Sequence, residues 1–233
     1  MNPRLAQLQE FYALLEEVAD RCDGPRTLGE CHGRMGWPRR GVYFFFEHGE
    51  HRENLSSPRV VRVGTHGLRL SASTLWGRLS QHRGGTGGRF AGGGNHRGSI
   101  FRLHVGEALL ASGEYPPGIS DTWGRGSSAP LEVRALEYPL ERDVSAYIRA
   151  MPFLWVEVDD PPGPASERGL IERGVIAVLS NFAGLPIDPP SSTWLGRRSA
   201  REAIRTSGLW NVNHVRDAAL DDRSLSALHR HLH

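Results

Sequence analysis

Aromatic side chains dominate the first strongly apolar run of the chain, residues 42–46, and this run is predicted to be a β-strand. Successive side chains of a strand point to opposite faces of its sheet. Phe44 and Phe46 would therefore line one face, and Tyr43 and Phe45 the other. Because both faces carry aromatic groups, we expect this strand to lie at the centre of the sheet, with both sides covered.

Further apolar runs predict the rest of the sheet and the helices that flank it. Residues 60–63 and 153–159 are predicted strands, whereas residues 23–40, rich in Gly, Pro and Arg, are predicted as a loop. Helical periodicity is found at residues 3–22, 75–82, 141–151, 165–182, 199–206 and 216–230. The fold class predicted is α/β, with a small three-stranded mixed sheet flanked by helices, an inserted segment and extra N- and C-terminal helices.

Polar and glycine-rich segments separate these elements. Residues 47–58 are charged and predict a hairpin-like excursion, and residues 99–111 form either a strand or a short helix. The glycine-rich segment 83–98 is expected to be mobile or to be ordered by a ligand. It lacks the GxxxxGK[ST] pattern of phosphate-binding loops, and no strand leads directly into it.

Charge and composition restrict the class of protein. The formal net charge is +2, and all 28 basic residues are arginines. Arginine binds phosphate well, but a GC-rich genome also favours arginine codons, so both explanations stay open. The arginine clusters at 97–102 and 196–205 could follow a phosphate backbone or lie on solvated faces. No apolar run is long enough to span a membrane, no secretion signal is evident, and two cysteines form no disulfide framework, so a cytoplasmic protein is expected.

Short motifs occur in a fixed order on the predicted elements. GVY (41–43) begins the first strand, and RVG (62–64) ends the second. The next helix carries R-x-x-x-H at 78–82, and the helix after the third strand begins with E-x-x-L-I at 167–171 and ends near Asn181. This ordered set resembles the GIY-YIG nuclease family, and the R-x-x-x-H pair resembles its restriction-enzyme branch in particular.

The resemblance implies a metal-dependent endonuclease that hydrolyses phosphodiester bonds, with DNA preferred to RNA. Such hydrolysis needs an activated water, a cation on the phosphoryl oxygens and help for the leaving oxygen. The cofactor implied is Mg²⁺, with Mn²⁺ as the alternative. The domain organisation expected is a nuclease core at 40–182 with an insertion at about 83–152, between an N-terminal segment at 1–39 and a helical tail at 183–233 that packs on the core.

The resemblance also assigns roles to individual residues. Tyr43 would act near the attacking water, as its base or its positioner. Glu167 would hold the metal, since one carboxylate can bind Mg²⁺ while waters and substrate phosphate complete the shell. Arg78 would neutralise charge on the phosphate, and His82, on the same helix face, would assist proton transfer or contact phosphate. Asn181 would orient the site by hydrogen bonds.

Three positions leave the assignment open. The family's second motif usually has a tyrosine where this chain has Arg62, and a basic residue after the glycine is replaced by Thr65. His66 is a candidate for the general base in their place, and Arg62 could contact phosphate. Glu172, on a different helix face from Glu167, is the alternative metal ligand.

Nucleic-acid contacts are predicted outside the motifs as well. Asn95, His96 and Arg97, in the glycine-rich segment, could reach a phosphate or a base edge. Residues 207–215 would pack the tail on the core or contact substrate. The alternative function is a catalytically weak or inactive nucleic-acid-binding module of the same fold, which the changes in the second motif favour. A protein-interaction domain without nucleic-acid affinity is a third hypothesis.

Overall fold

The computed structural model describes residues 2–53, 57–218 and 223–233. The strands are β1 (Arg26–Thr27), β2 (Gly41–His51), β3 (Pro58–Gly64) and β4 (Pro152–Glu157). The helices are α1 (Pro3–Arg21), α2 (Leu75–Arg83), α3 (Ile100–Leu110), α4 (Ile119–Thr122), α5 (Leu131–Ala150), α6 (Glu167–Leu179), α7 (Glu202–Ser207) and α8 (Arg223–Leu232). Two short 3₁₀ turns lie at His96–Gly98 and Leu195–Arg198.

The sheet has four antiparallel strands in the order β1-β4-β2-β3, so the prediction of three strands in a mixed sheet is wrong. β1 lies in the segment 23–40 that was predicted as a loop. A strand of two residues has no measurable periodicity, and its extended conformation comes from pairing with the edge of β4. β4 runs antiparallel to β2 because the helices after β3 return the chain across the sheet before β4 begins.

The two faces of β2 belong to different parts of the core, as the alternation in the sequence predicted. Phe44 and Phe46 pack in one apolar cluster with side chains from α1, α6 and α8. Tyr43 and Phe45 pack in a second cluster with side chains from α2, α3 and α5. β2 is therefore central and covered on both sides, which positions Tyr43 under the helices of the predicted insertion.

A segment of the C-terminal tail docks along the outer edge of β3. The backbone N–H of Trp210 donates to the carbonyl of Val61 at 2.7 Å. The Asn211 side-chain amide then forms two hydrogen bonds with the backbone of Val63, at 2.8 and 3.1 Å. Pairing of this kind covers a sheet edge that would otherwise carry unsatisfied backbone groups. The tail is thus built into the sheet beside the end of β3.

The helix bounds differ from the predicted ones in identifiable places. Segment 99–111, left open between strand and helix, is helical as α3. α5 begins ten residues before the predicted start at 141. In the sequence Pro139 suggests a break, but the helix accommodates this proline in its interior. α8 begins at Arg223, and residues 219–222, which fall in the helix predicted at 216–230, lie outside the described residues. Within the described ranges, no helix is both long and apolar enough to cross a membrane.

Phe44→Ala should lower the free energy of unfolding by about 3–5 kcal/mol, because it removes a fully buried ring from between the sheet and α1. The matched control is Leu70→Ala, whose side chain is 94% exposed and whose loss should cost less than about 0.5 kcal/mol. Urea denaturation of both variants measures the difference. Equal stabilities would contradict the assignment of Phe44 to the core.

Candidate active site

The ring of Tyr43 lies directly over Gly64, and this contact links the first two sequence motifs. The two residues face each other across β2 and β3. A Cβ atom at position 64 would lie 2.4 Å from the Tyr43 hydroxyl oxygen, closer than any real contact. Glycine at the end of β3 is therefore what leaves room for the tyrosine, which is fully buried.

His82 holds the Tyr43 hydroxyl from α2. Its Nε2 atom lies 2.8 Å from the Tyr43 oxygen, and its Nδ1 atom lies 2.7 Å from Oγ of Ser99. Burial holds the pKa of His82 well below its usual value, and the charges of Arg78 and Arg62 lower it further. The imidazole is therefore neutral, with one nitrogen donating and the other accepting. Ser99, His82 and Tyr43 form one continuous hydrogen-bonded chain inside the protein.

Two arginines approach this chain from the sheet and from α2. Arg62 pairs with Phe45 across the sheet, so its side chain lies on the same face as Tyr43. The buried guanidinium donates to the Trp210 carbonyl at 2.8 Å, and burial lowers its pKa. Arg78 is half-buried and donates from one nitrogen to both Gln81 and the Gly98 carbonyl, each at 3.1 Å.

Glu172 supplies a carboxylate to the same place from α6. Burial raises the pKa of its carboxyl, while the Arg62 charge and the Thr65 backbone N–H act in the opposite direction. Glu172 and the two arginines line a cavity of about 350 Å³. Its other lining residues are Thr65, Ile100, His104, Ile176, Arg201, Asn211, Val212, Asn213 and His214. The cavity is polar, carries an excess of arginine and contains one carboxylate.

A model of the GIY-YIG domain matches residues 2–233. The chain belongs to the GIY-YIG family. The match extends over the N-terminal helix, the insertion and the tail as well as the motif-bearing sheet. The chain matches no curated protein and no solved structure. A GIY-YIG domain implies nuclease-type activity on nucleic acid. In this chain Arg62, Arg78 and Glu172 line one cavity, and Tyr43 lies buried next to Arg62, outside that lining.

Glu167 lies elsewhere in this GIY-YIG structure. It begins α6, and its carboxylate pairs with Arg230 and with His231, the latter at 2.7 Å, both on α8. These hydrogen bonds lower its pKa, as expected for a carboxylate engaged with basic groups. Five positions along a helix correspond to a rotation of about 140° beyond a full turn. Glu167 and Glu172 therefore face different neighbours, and the structure brings only Glu172 to the cavity.

Asn181 and His66 also lie outside the cavity lining. The Asn181 side-chain oxygen accepts hydrogen bonds from Arg4 at 2.9 Å and from the Ile187 backbone at 2.8 Å, so it joins α1 to the chain after α6. His66 is buried just beyond β3. Burial, assisted by the charge of Arg168, lowers the pKa of His66 to about 4. An imidazole with so low a pKa is a weak base, which argues against the role predicted for it.

The three residues predicted to contact nucleic acid from the glycine-rich segment are engaged within the protein. Asn95 caps the 3₁₀ turn by accepting from the Arg97 backbone at 3.1 Å. His96 is buried between Glu141, at 3.0 Å, and the stacked ring of Trp123. The Arg97 guanidinium is 4% exposed and forms two hydrogen bonds to Glu137, at 2.6 and 2.8 Å. The α5 partners of His96 and Arg97 lie 45 and 40 positions away, so local sequence did not reveal them.

Other site residues were missed, although some left a signal in the sequence. Ser99 precedes an apolar helical run, as an N-cap does, and its hydroxyl accepts from the Arg102 backbone at 3.3 Å. Asn211 shows no local pattern, because its role comes from pairing with β3. His104 is buried against the cavity, and burial lowers its pKa to about 3.

The donor set of the cavity fits a hard divalent cation held by few protein ligands. Among the described residues there is no group of three or more His, Cys, Asp and Glu side chains suited to a metal. Structural zinc would need such a group. Mg²⁺ is commonly held by one or two carboxylates, with waters and substrate phosphates completing six positions. Glu172 beside a cavity of about 350 Å³ meets that requirement.

Gly64→Ala should displace the Tyr43 ring and destabilise the protein by about 1–3 kcal/mol, because the added methyl group overlaps the phenol. The control is Gly36→Ala, where no atom lies within 4 Å of the added methyl group. Thermal unfolding monitored by circular dichroism compares the two variants. A Gly64→Ala protein as stable as wild type would show that Tyr43 does not require this contact.

Proposed function

We propose that this GIY-YIG protein is a metal-dependent endonuclease whose active site is the cavity lined by Arg62, Arg78 and Glu172. The observation that carries the proposal is that two arginines and a single carboxylate line one cavity, with a hydrogen-bonded tyrosine buried next to Arg62. The tyrosine comes from β2, the arginines from β3 and α2, and the carboxylate from α6. Phosphodiester hydrolysis needs these kinds of group around one phosphorus atom.

Tyr43 is proposed to orient or deprotonate the attacking water. When the Nδ1–H of His82 is donated to Ser99, the lone pair on Nε2 accepts the hydrogen bond from the Tyr43 hydroxyl. The tyrosine oxygen can then accept a hydrogen bond from the attacking water while its own proton is held by the imidazole. His82 is buried between Tyr43 and Ser99, so we assign it to positioning the Tyr43 hydroxyl and not to phosphate contact.

The arginines are proposed to bind the phosphate. Arg78 is only half-buried, and its Nη1 contacts the rim of the cavity. Arg62 lies deeper and is anchored by the Trp210 carbonyl. A guanidinium in a partly desolvated cavity stabilises the charge that develops on phosphoryl oxygens more strongly than it would in water. Arg62 thus takes a place in the second motif where the family usually has tyrosine.

Glu172 is proposed as the metal ligand in place of Glu167. A bound divalent cation, Mg²⁺ in our proposal with Mn²⁺ as the alternative, supplies charge neutralisation on the phosphate and at the leaving oxygen. The role of Glu172 is to hold that charge in the cavity that Arg62 and Arg78 also line. Its carboxylate lines the cavity, whereas that of Glu167 is paired with α8.

DNA is the substrate we propose, because the Arg78–His82 pair resembles the restriction-enzyme branch of the family. We also propose that the protein acts in the cytoplasm, where its two free cysteines would stay reduced. The second candidate is a nucleic-acid-binding module without catalysis. Arg62 favours it, because the usual second tyrosine is absent.

Glu172→Gln should lower metal-dependent cleavage by at least about 100-fold, whereas Glu167→Gln should cleave like wild type. Tyr43→Phe should lose about 10²–10⁴-fold, the usual contribution of a general acid or base. The assay uses plasmid DNA, single-stranded DNA and RNA, with Mg²⁺, Mn²⁺ or chelator.

The paired glutamate variants separate the possible outcomes. If Glu167→Gln alone lost activity, the metal ligand would be Glu167, at the start of α6, and not Glu172. Salt-sensitive binding without cleavage of any substrate would support the inactive module instead, because phosphate contacts weaken steeply as salt rises.

As the pH is lowered, metal affinity should begin to decline at a higher pH than it would if the metal ligand were a glutamate of ordinary pKa. The pKa of Glu172 is raised above 4.5, so protons compete for its carboxylate before the medium reaches that pH. Below the raised pKa, the dissociation constant for Mn²⁺ should rise about tenfold per pH unit. Calorimetric titration without nucleic acid measures it. Glu172→Gln should abolish this dependence, and a decline that begins only below pH 4.5 would contradict the assignment.

A further inference from the structure

A second and larger depression adjoins the candidate active site. Its volume is about 870 Å³, and it lies between the glycine-rich segment 83–98 and the start of α5. We call it the glycine-rich groove. Gln81 and Gly98 belong to its lining, and both accept hydrogen bonds from Arg78 at 3.1 Å. Arg78 lines the active-site cavity, so the groove and the cavity meet at this side chain.

The groove carries positive charge without a compensating carboxylate. Three arginines line it, Arg83, Arg89 and Arg134, whereas the described lining includes no Asp or Glu. Arg83 is committed to the protein, since it donates to the Cys31 carbonyl at 2.6 Å and lies over the Trp76 ring.

Arg89 and Arg134 are the two arginines available to a ligand. Across residues 2–53, 57–218 and 223–233, neither forms an ion pair with a carboxylate. Both guanidinium groups lie over the Phe90 ring, at 5.9 and 4.7 Å from its centre.

The nearby acidic residues of α5 do not neutralise these arginines. Glu137 is bound by Arg97, and Glu141 by Arg102 and His96. Each of these carboxylates is buried with its partner, so its charge is already balanced. Arg97, which the sequence suggested as a phosphate contact, instead balances the charge of Glu137 inside the protein. The groove therefore keeps its positive charge.

The glycine-rich wall is held in place by backbone contacts. Gly85 donates to the Gly93 carbonyl at 2.8 Å, and Gly92 donates to the Gly85 carbonyl at 3.0 Å. From α5, Tyr138 donates to the Ala91 carbonyl at 2.5 Å, and Arg149 to the Gly85 carbonyl at 2.7 Å. A wall of glycines without side chains allows an extended polymer to approach the backbone closely.

We propose that the glycine-rich groove binds the sugar–phosphate backbone of the substrate on one side of the scissile phosphate, through Arg89 and Arg134. The inference rests on the proposed nuclease function and adds where the substrate continues beyond the active site. Phosphate contacts of this kind position a nucleic acid without reading its sequence. The groove therefore contributes affinity for long substrates, and the chemistry stays in the cavity.

The test measures DNA binding on a Glu172→Gln background in chelator, with a long fluorescent duplex and with a short duplex that covers the mouth of the cavity but does not extend to the groove. Arg89→Ala combined with Arg134→Ala should weaken binding of the long duplex about tenfold and reduce the slope of log Kd against log salt by about two. Binding of the short duplex, which does not extend to the groove, should not change. Arg230→Ala on α8 removes one charge far from the groove and serves as the control.

The cleavage rates distinguish a failure of the groove from a failure of the proposed function. With Glu172 intact, the double variant should keep the kcat of wild type on the short duplex and show a raised KM on the long one. Wild-type affinity for the long duplex in the double variant would overturn the groove and leave the nuclease function standing. No binding or cleavage of any nucleic acid by the wild type would overturn both.

Discussion

The contact between the Tyr43 ring and Gly64 is the constraint on which the rest of the site depends. It requires a glycine at one point of β3 and a tyrosine directly opposite on β2. Once the ring occupies that space, its hydroxyl lies where His82 can reach it from α2. The position of α2 then determines that of Arg78, one helical turn earlier. A steric requirement between two strands thus places groups that are distant in sequence.

The aromatic content of β2 serves stability and chemistry on separate faces. Phe44 and Phe46 join the core under α1, α6 and α8, while Phe45 packs beside Tyr43 under the predicted insertion. The apolar surroundings of Tyr43 exclude water from its ring and keep His82 neutral. The Tyr43 hydroxyl therefore has a defined hydrogen-bond partner and no contact with bulk solvent.

The sequence predicted the parts of the fold that depend on local periodicity. The two faces of β2 and the apolar stripe of α1 could be predicted, because strand and helix periods act within a few residues. The order of the motifs could be read directly from the chain. The choice between Glu167 and Glu172 could not be made from the sequence, because it depends on which neighbours α6 contacts after folding. β1 escaped detection because its two residues acquire their conformation from β4. The partners of Arg97 lie on a different helix, and their pairing is a property of the folded chain.

The pairing of the tail with β3 has a consequence for protein synthesis. Arg62 emerges from the ribosome early, but the carbonyl that holds its guanidinium belongs to Trp210. A nascent chain can therefore contain every strand of the sheet and still lack the group that anchors the Arg62 guanidinium in the cavity. The site is completed only when residues 209–211 have been translated and docked, so an incomplete or truncated product would lack the ordered cavity of the finished protein.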